Sequence, residues 1–281
     1  MNPAKDSLIR PMQTTRAITT ELIRGYSAMK PASFFSTFAW DVLAYRRMRL
    51  GRIGSYNDRR QIITRGGTTL HYRRNRGDIQ SMREVWLEQV YSVPFPQRPE
   101  IVVDLGANIG LTALFFCQEY APRRVVVVEP DPANAEVLRA NAAHCSSEIE
   151  VIVAAVGPKD GVVFFAESEE SNLGHVADTG RPVTCISMPS LMKSSGLPRI
   201  DLLKVDIEGG EGELLTHDNE WLDLVGSIMI EFHPQVVDEP SLISLLQSKG
   251  FRYLAHTDAT RLGKSDYFQR PDWPQRSPSP T

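Results

Sequence analysis

Six ionisable side chains stand at the ends of short apolar runs. Asp104 closes Ile101–Val103, Glu129 follows Val125–Val128, Asp206 and Glu208 follow Ile200–Val205, and Glu231 and His233 end the run from Val225. Carboxylates gathered beside an imidazole suit proton transfer near neutrality. His233 is the expected general base, because its ordinary pKa lies closest to neutral pH. Asp206 is expected to share that role or to orient His233. Lys204 and Asp206 are separated by one residue, so both face the same side of an extended strand. With Glu208 they complete the candidate catalytic group of His233, Asp206, Lys204 and Glu208. Asp206, Glu208, Glu231 and His233 are also chemically able to ligate a divalent cation, but their loops lack ligand spacing and no metal is expected. Glu211 is read as a helix cap.

Such residues meet only if parallel strands bring their carboxyl ends together. The chain supplies that pattern from residue 100 onward. Apolar runs at 101–105, 125–128, 149–156, 200–205, 225–232, 251–254 and 266–269 alternate with helical segments at 111–120, 133–143, 211–215 and 242–249. This alternation predicts an α/β fold with a doubly wound, mostly parallel sheet. Val162–Ala166 and Pro182–Ile186 are expected to pair as an antiparallel excursion, and the polar stretch Ser171–His175 between them is an ordinary loop or a lid. Upstream, residues 33–50 carry helical spacing with a basic end, 60–73 suggest a hairpin around Gly66-Gly67, and 78–91 a helix. Pro94, Pro96 and Pro99 form a stiff linker. The expected domains are an N-terminal helical and hairpin extension at 1–77 acting as a substrate cap, a catalytic domain at 78–269, and a disordered tail at 270–281.

Composition is that of a soluble globular chain: 281 residues, 42% hydrophobic, 23% charged, net charge −3. The charge argues against nucleic acid as a partner. One asymmetry stands out, ten arginines against a single acid between Arg46 and Arg76. That region is a solvated surface or a grip for an anionic partner. Cys117, Cys145 and Cys185 are odd in number and widely spaced, so free thiols and a reducing, cytoplasmic setting are expected. No apolar run reaches membrane-spanning length and no secretory signal is apparent. A homodimer is among the expected assemblies. His71, His144, His175, His217 and His256 show no partner pattern.

The turn after the first core strand decides the ligand. Gly106-Ala-Asn-Ile-Gly110 leads from strand into helix and exposes backbone N–H groups. Glu129, about twenty residues on, suits the ribose hydroxyls of an adenosine group. Both a nicotinamide dinucleotide and S-adenosylmethionine carry that group. Asp104 at the mouth of the turn would repel a pyrophosphate, and Asn108 stands where a dinucleotide fold requires no closer approach. The turn therefore favours a ligand with a positive amino-acid end. A nicotinamide-dependent oxidoreductase of related fold is the alternative, and a non-catalytic binding protein using the Arg46–Arg76 region is a second.

Asp-Leu-Gly-Ala-Asn-Ile-Gly (104–110), Val-Glu-Pro-Asp-Pro (128–132) and Asp-Leu-Leu-Lys-Val-Asp-Ile-Glu-Gly-Gly-Glu (201–211) together resemble the FkbM family of S-adenosylmethionine-dependent methyltransferases. The likeness runs over roughly residues 78–255. It implies a class I Rossmann-like methyltransferase fold with helices on both faces of a seven-stranded sheet whose last strand is antiparallel. It implies S-adenosyl-L-methionine as cofactor and methyl transfer to a hydroxyl of a small-molecule acceptor, a sugar, nucleotide-linked sugar or natural product. By position, Asp104 would orient the cofactor's amino group, and Gly106, Ala107, Asn108 and Gly110 would line its methionine portion. Glu129 would hold the ribose, Pro130 and Asp131 would flank the adenine, and Ala155 would lie near that ring.

Overall fold

The computed structural model describes residues 19–20, 22–39, 41, 57–93, 95, 98–166, 174–257 and 265–273. The chain divides into two compact units, Met1–Gln89 and Val90–Thr281.

In the first unit, β1 (Arg59–Ile63) and β2 (Thr69–Arg73) form the expected antiparallel hairpin. Helix α1 (Arg76–Met82) follows, and its first turn is capped by Asn75, whose side chain accepts from Asp78 N. Asp78 in turn accepts from the backbone and guanidinium of Arg73, which ties α1 to the hairpin. That bond explains why α1 belongs with the hairpin, whereas the sequence placed residue 78 at the start of the catalytic domain. Several of the arginines are used internally: Arg60 and Arg74 reach Asp41, Arg73 reaches Asp78, and Arg65 donates to Tyr26 O. Residues 31–39 are helical. The remainder of the basic helix expected at 33–50, with Arg46, Arg47 and Arg49, lies outside the described residues apart from Asp41, as does Arg52.

The second unit is a seven-stranded sheet. Its strands are β3 (Ile101–Leu105), β4 (Arg124–Val128), β5 (Glu148–Ile152), β10 (Ile200–Val205), β11 (Val225–Glu231), β12 (Arg252–Thr257) and β13 (Ser265–Gln269). They lie in the order β12-β13-β11-β10-β3-β4-β5. β13 pairs antiparallel with both β11 and β12, and the remaining pairings are parallel. From β3 the chain grows to one side through β4 and β5, then to the other through β10 and β11. Right-handed crossovers in opposite directions place helices on both faces, and the reversal between β3 and β10 is the switch point where ligands enter such sheets. The connecting helices are α2 (Leu111–Tyr120), α3 (Pro132–Ala142), α4 (Met188–Ser194), α5 (Glu211–Thr216) and α6 (Glu239–Ser248).

Every residue of β3 and of β10 is buried, which accounts for their mostly apolar sequence. Burying each such side chain contributes about 1.5–3 kcal/mol. The polar exceptions inside that core, Asp104, Asp201 and Lys204, are therefore expensive and require partners.

The excursion after β5 is a separate small sheet of order β6-β9-β7-β8, with β6 at Ala155–Val156, β7 at Gly161–Ala166, β8 at His175–Ala177 and β9 at Arg181–Ile186. The predicted β7–β9 pairing is antiparallel as expected. The run 149–156 is not one strand: it leaves the main sheet after Ile152, and Ala155 instead pairs with Cys185. Of the expected lid, 171–173 lie outside the described residues.

Two expectations are corrected. Cys117 and Cys145 are joined by a disulfide, and Cys185 is a free, buried thiol. Helices α2 and α3 pack side by side, which brings the last turn of one to the end of the other, with the two Cα atoms 6.0 Å apart. The start of the tail is held rather than disordered. Arg270 donates to the carbonyls of Val225 and Leu222, Trp273 Nε1 donates to Asp201, and the Trp273 ring covers Gly226. No described helix is long and apolar enough to cross a membrane.

Candidate active site

Parallel register sets Asp104 on β3 directly beside Lys204 on β10. Lys204 Nζ lies 3.2 Å from Asp104 Oδ1 and 3.5 Å from Asp206 Oδ2. It also donates to Gly106 O at 2.8 Å. Burial would drive a proton off this ammonium, but Asp104 and Asp206 outweigh burial and hold its pKa above the ordinary lysine value. Lys204 is thus a buried cation that ties two carboxylates to the glycine turn. Both Asp104 oxygens are buried, and neither has a hydrogen-bond partner beyond this ion pair.

The turn itself is tightly constrained. Gly106 has φ +73°, and a Cβ there would collide with the carbonyl oxygen of Asp206. Gly110 has φ +79°, and a Cβ would come within 2.9 Å of Leu138 Cγ. Both positions require glycine for backbone shape and for space. Gly106 N and Ala107 N donate to Val128 O, and Asp206 N donates to Leu105 O, so the turn is stitched to both neighbouring strand ends.

Glu129 sits under the turn. Its Oε2 accepts from Asn108 N at 2.8 Å, and its Oε1 accepts from Asp131 N at 2.9 Å and from Asn134 Nδ2 at 3.1 Å. Burial lifts its pKa to about 7 against the pull of those donors. Asp131 caps α3 by accepting from Ala133 N. Arg181, from the small sheet, reaches Pro130 O at 3.4 Å and Asp131 at 3.8 Å. No role for Arg181 is legible in the sequence, since it precedes the expected strand Pro182–Ile186 and its contact depends on how the small sheet folds back. Ala155 packs with Phe165 and Val183 in the core of that small sheet.

Asp206, Glu208 and His233 come together at the ends of β10 and β11, each offering an atom within 4.8 Å of the others. That spacing would admit a cation. The groups are nevertheless already paired: His233 Nε2 lies 3.2 Å from Glu208 Oε2, His233 Nδ1 lies 3.0 Å from Glu211 Oε1, and Asp206 faces Lys204. Glu231 is not a member of this group. Burial pushes the His233 imidazolium down, but its bonds to Glu208 and Glu211 prevail and lift its pKa to about 11. A general base needs an unprotonated nitrogen, and this arrangement favours the protonated form of His233, held between carboxylates. Glu208 has its own pKa raised by burial, opposed by His233. Glu211, read from sequence as a helix cap, instead turns its carboxylate inward to His233. Spacing alone held no signal for that contact, because its donors come from two separate segments.

The sheet order with an antiparallel β13, the glycine turn at the β3–β10 switch point and the acid after β4 define a class I Rossmann-like methyltransferase. Residues 104–253 match the Methyltransferase FkbM domain, and the chain belongs to that family of S-adenosylmethionine-dependent methyltransferases. It is similar to Methyltransferase 1 of Beauveria bassiana, at 26% identity over 68% of this chain and 82% of that protein. It is likewise similar to 31-O-demethyl-FK506 methyltransferase FkbM of Streptomyces tacrolimicus, at 26% identity over 70% and 90%. Hexuronic acid methyltransferase AglP of Haloferax volcanii is 26% identical over 68% of this chain and 81% of its own.

The site suits the cofactor. A buried carboxylate with unmet acceptor capacity at Asp104 matches a cationic amino group.

Proposed function

We propose that this protein methylates a hydroxyl oxygen of a sugar, nucleotide-linked sugar or natural-product small molecule. The observation that carries the reading is the group of Asp206, Glu208 and His233 on strand ends next to the Asp104–Gly110 turn. The names of two relatives, one acting at an O-demethyl position and one on a hexuronic acid, support an oxygen acceptor of this kind.

Within this reading Asp104 receives the cofactor's amino group, with Gly106, Ala107, Asn108 and Gly110 along its methionine portion. Glu129 takes the ribose hydroxyls; its Oε2, which accepts a single N–H, has the spare capacity. Pro130, Asp131 and Ala155 lie towards the adenine. When bound, S-adenosylmethionine supplies a methyl group already activated on a sulfonium. The chain's part is then to align the acceptor oxygen and take its proton. We assign the proton to Glu208. It is half-buried, which strengthens it as a base, and the neighbouring His233 cation stabilises its ionised form between turnovers. Lys204 and Asp206 hold the strand ends in register.

The test is incubation of the protein with labelled S-adenosylmethionine and separate pools of sugars, sugar nucleotides and polyhydroxylated natural products, followed by mass spectrometry. Label on an oxygen of one of these supports the reading. Label confined to nitrogen or carbon acceptors contradicts it.

A further inference from the structure

Glu211 is fully buried, and one of its oxygens gathers three donors from two segments. Ile207 N and Gly209 N donate to Oε1 at 3.2 Å each, and His233 Nδ1 lies 3.0 Å from the same atom. Two backbone bonds would satisfy a helix cap, and a cap can remain at the surface. A carboxylate with no exposure is costly unless a cation is at hand. His233 is that cation, and its backbone is fixed in turn by Val236 N and Val237 N, which donate to its carbonyl. With Nδ1 engaged below, Nε2 is aimed at Glu208, whose side chain and that of Asp206 are more exposed than the His233 ring.

We propose that Glu211 is the positioning residue of the reacting end: its buried carboxylate fixes the His233 ring, so that Nε2 holds the Glu208 carboxylate towards the acceptor. The proposal rests on the assignment of Glu208 as proton acceptor. It makes Glu211, His233 and Glu208 a carboxylate–imidazolium–carboxylate chain. The groups facing His233 are Glu208 and Asp206 from the loop after β10 and Glu211 from the start of α5, and no second cation among the described residues is recorded against the ring.

The test is NMR of ¹⁵N-labelled histidine side chains across pH, with His233 assigned by the signal lost in His233→Asn. In the wild type both ring nitrogens stay protonated well above pH 7, and the Nδ1 proton is hydrogen-bonded. Glu211→Gln keeps an oxygen for the Ile207 and Gly209 N–H groups but removes the charge. It should lower the His233 midpoint by about one pH unit or more while S-adenosylmethionine affinity, measured by calorimetry, is unchanged. Glu208→Gln should also lower the midpoint, yet leave the Nδ1 bond in place. A wild-type His233 that titrates at the ordinary histidine value overturns the proposal, and so does an unmoved midpoint in Glu211→Gln. If Glu211→Gln fails to fold, the wild-type spectrum and Glu208→Gln decide the matter. The spectrum requires no acceptor, so a failure to find a methylated hydroxyl would count against the proposed function and leave this result standing.

Discussion

Lys204 Nζ stands 3.2 Å from Asp104 Oδ1 and 3.5 Å from Asp206 Oδ2, so a single buried ammonium holds carboxylates on two neighbouring strand ends. Lys204→Met would leave Asp104 buried and uncompensated, beside a second acid. Loss of one partner from a buried pair costs about 3–5 kcal/mol. Urea unfolding should show a loss of that size, with S-adenosylmethionine affinity falling in parallel. A variant as stable as the wild type would show that the pair is not what secures the turn.

Gly106→Ala tests the turn itself. Its left-handed backbone disfavours a side chain by about 1–2 kcal/mol, and the added carbon meets the Asp206 carbonyl. The expected result is a stability loss at least as large as that penalty, together with loss of cofactor binding in calorimetry. Binding at wild-type strength would mean that the turn does not line the cofactor.

Glu129 predicts a pH dependence. Its folded pKa, raised by burial to about 7, lies above the unfolded value of 4.5. Its contribution to stability is therefore fully present below about pH 4.5 and is lost as pH rises through 7. Cofactor binding has the opposite sign, because ribose hydroxyls donate to the ionised carboxylate. Affinity should climb as pH rises towards 7 and flatten above it, by no more than about tenfold per pH unit. Glu129→Gln should bind weakly with no such slope. A flat wild-type profile would remove Glu129 from the ribose.

Much of this arrangement was legible in the residues. The apolar runs of β3 and β10 announce buried parallel strands, and the one-residue gap between Lys204 and Asp206 places both on the same side. Asp104 at the mouth of the glycine turn reads as meeting a cationic ligand end, and the cation beside it in the fold is Lys204. What was hidden depends on contacts between distant segments. The raised pKa of His233 follows from carboxylates 22 and 25 residues earlier in the chain. The Cys117–Cys145 bridge follows from helix packing. The strand break after Ile152 and the anchoring of Trp273 on Gly226 follow from where a second sheet and a chain end come to rest.

The proton acceptor is tested by substitution. Glu208→Gln should lower turnover by about 10²–10⁴-fold while leaving cofactor affinity intact. His233→Ala should lower turnover less, since Glu208 remains. If instead His233→Ala is the more damaging and Glu208→Gln is silent, the base is the imidazole after all.

The central claim is methyl transfer to oxygen with Glu208 taking the proton. It is tested most directly by single-turnover reaction of wild type and Glu208→Gln with ¹³C-methyl-labelled S-adenosylmethionine and the acceptor recovered from the pools, the product being analysed by NMR for the atom that carries the label. The account predicts a methyl–oxygen bond formed by the wild type and a rate at least about a hundredfold lower in the variant. A methyl on nitrogen or carbon, or equal rates in the two proteins, would contradict it.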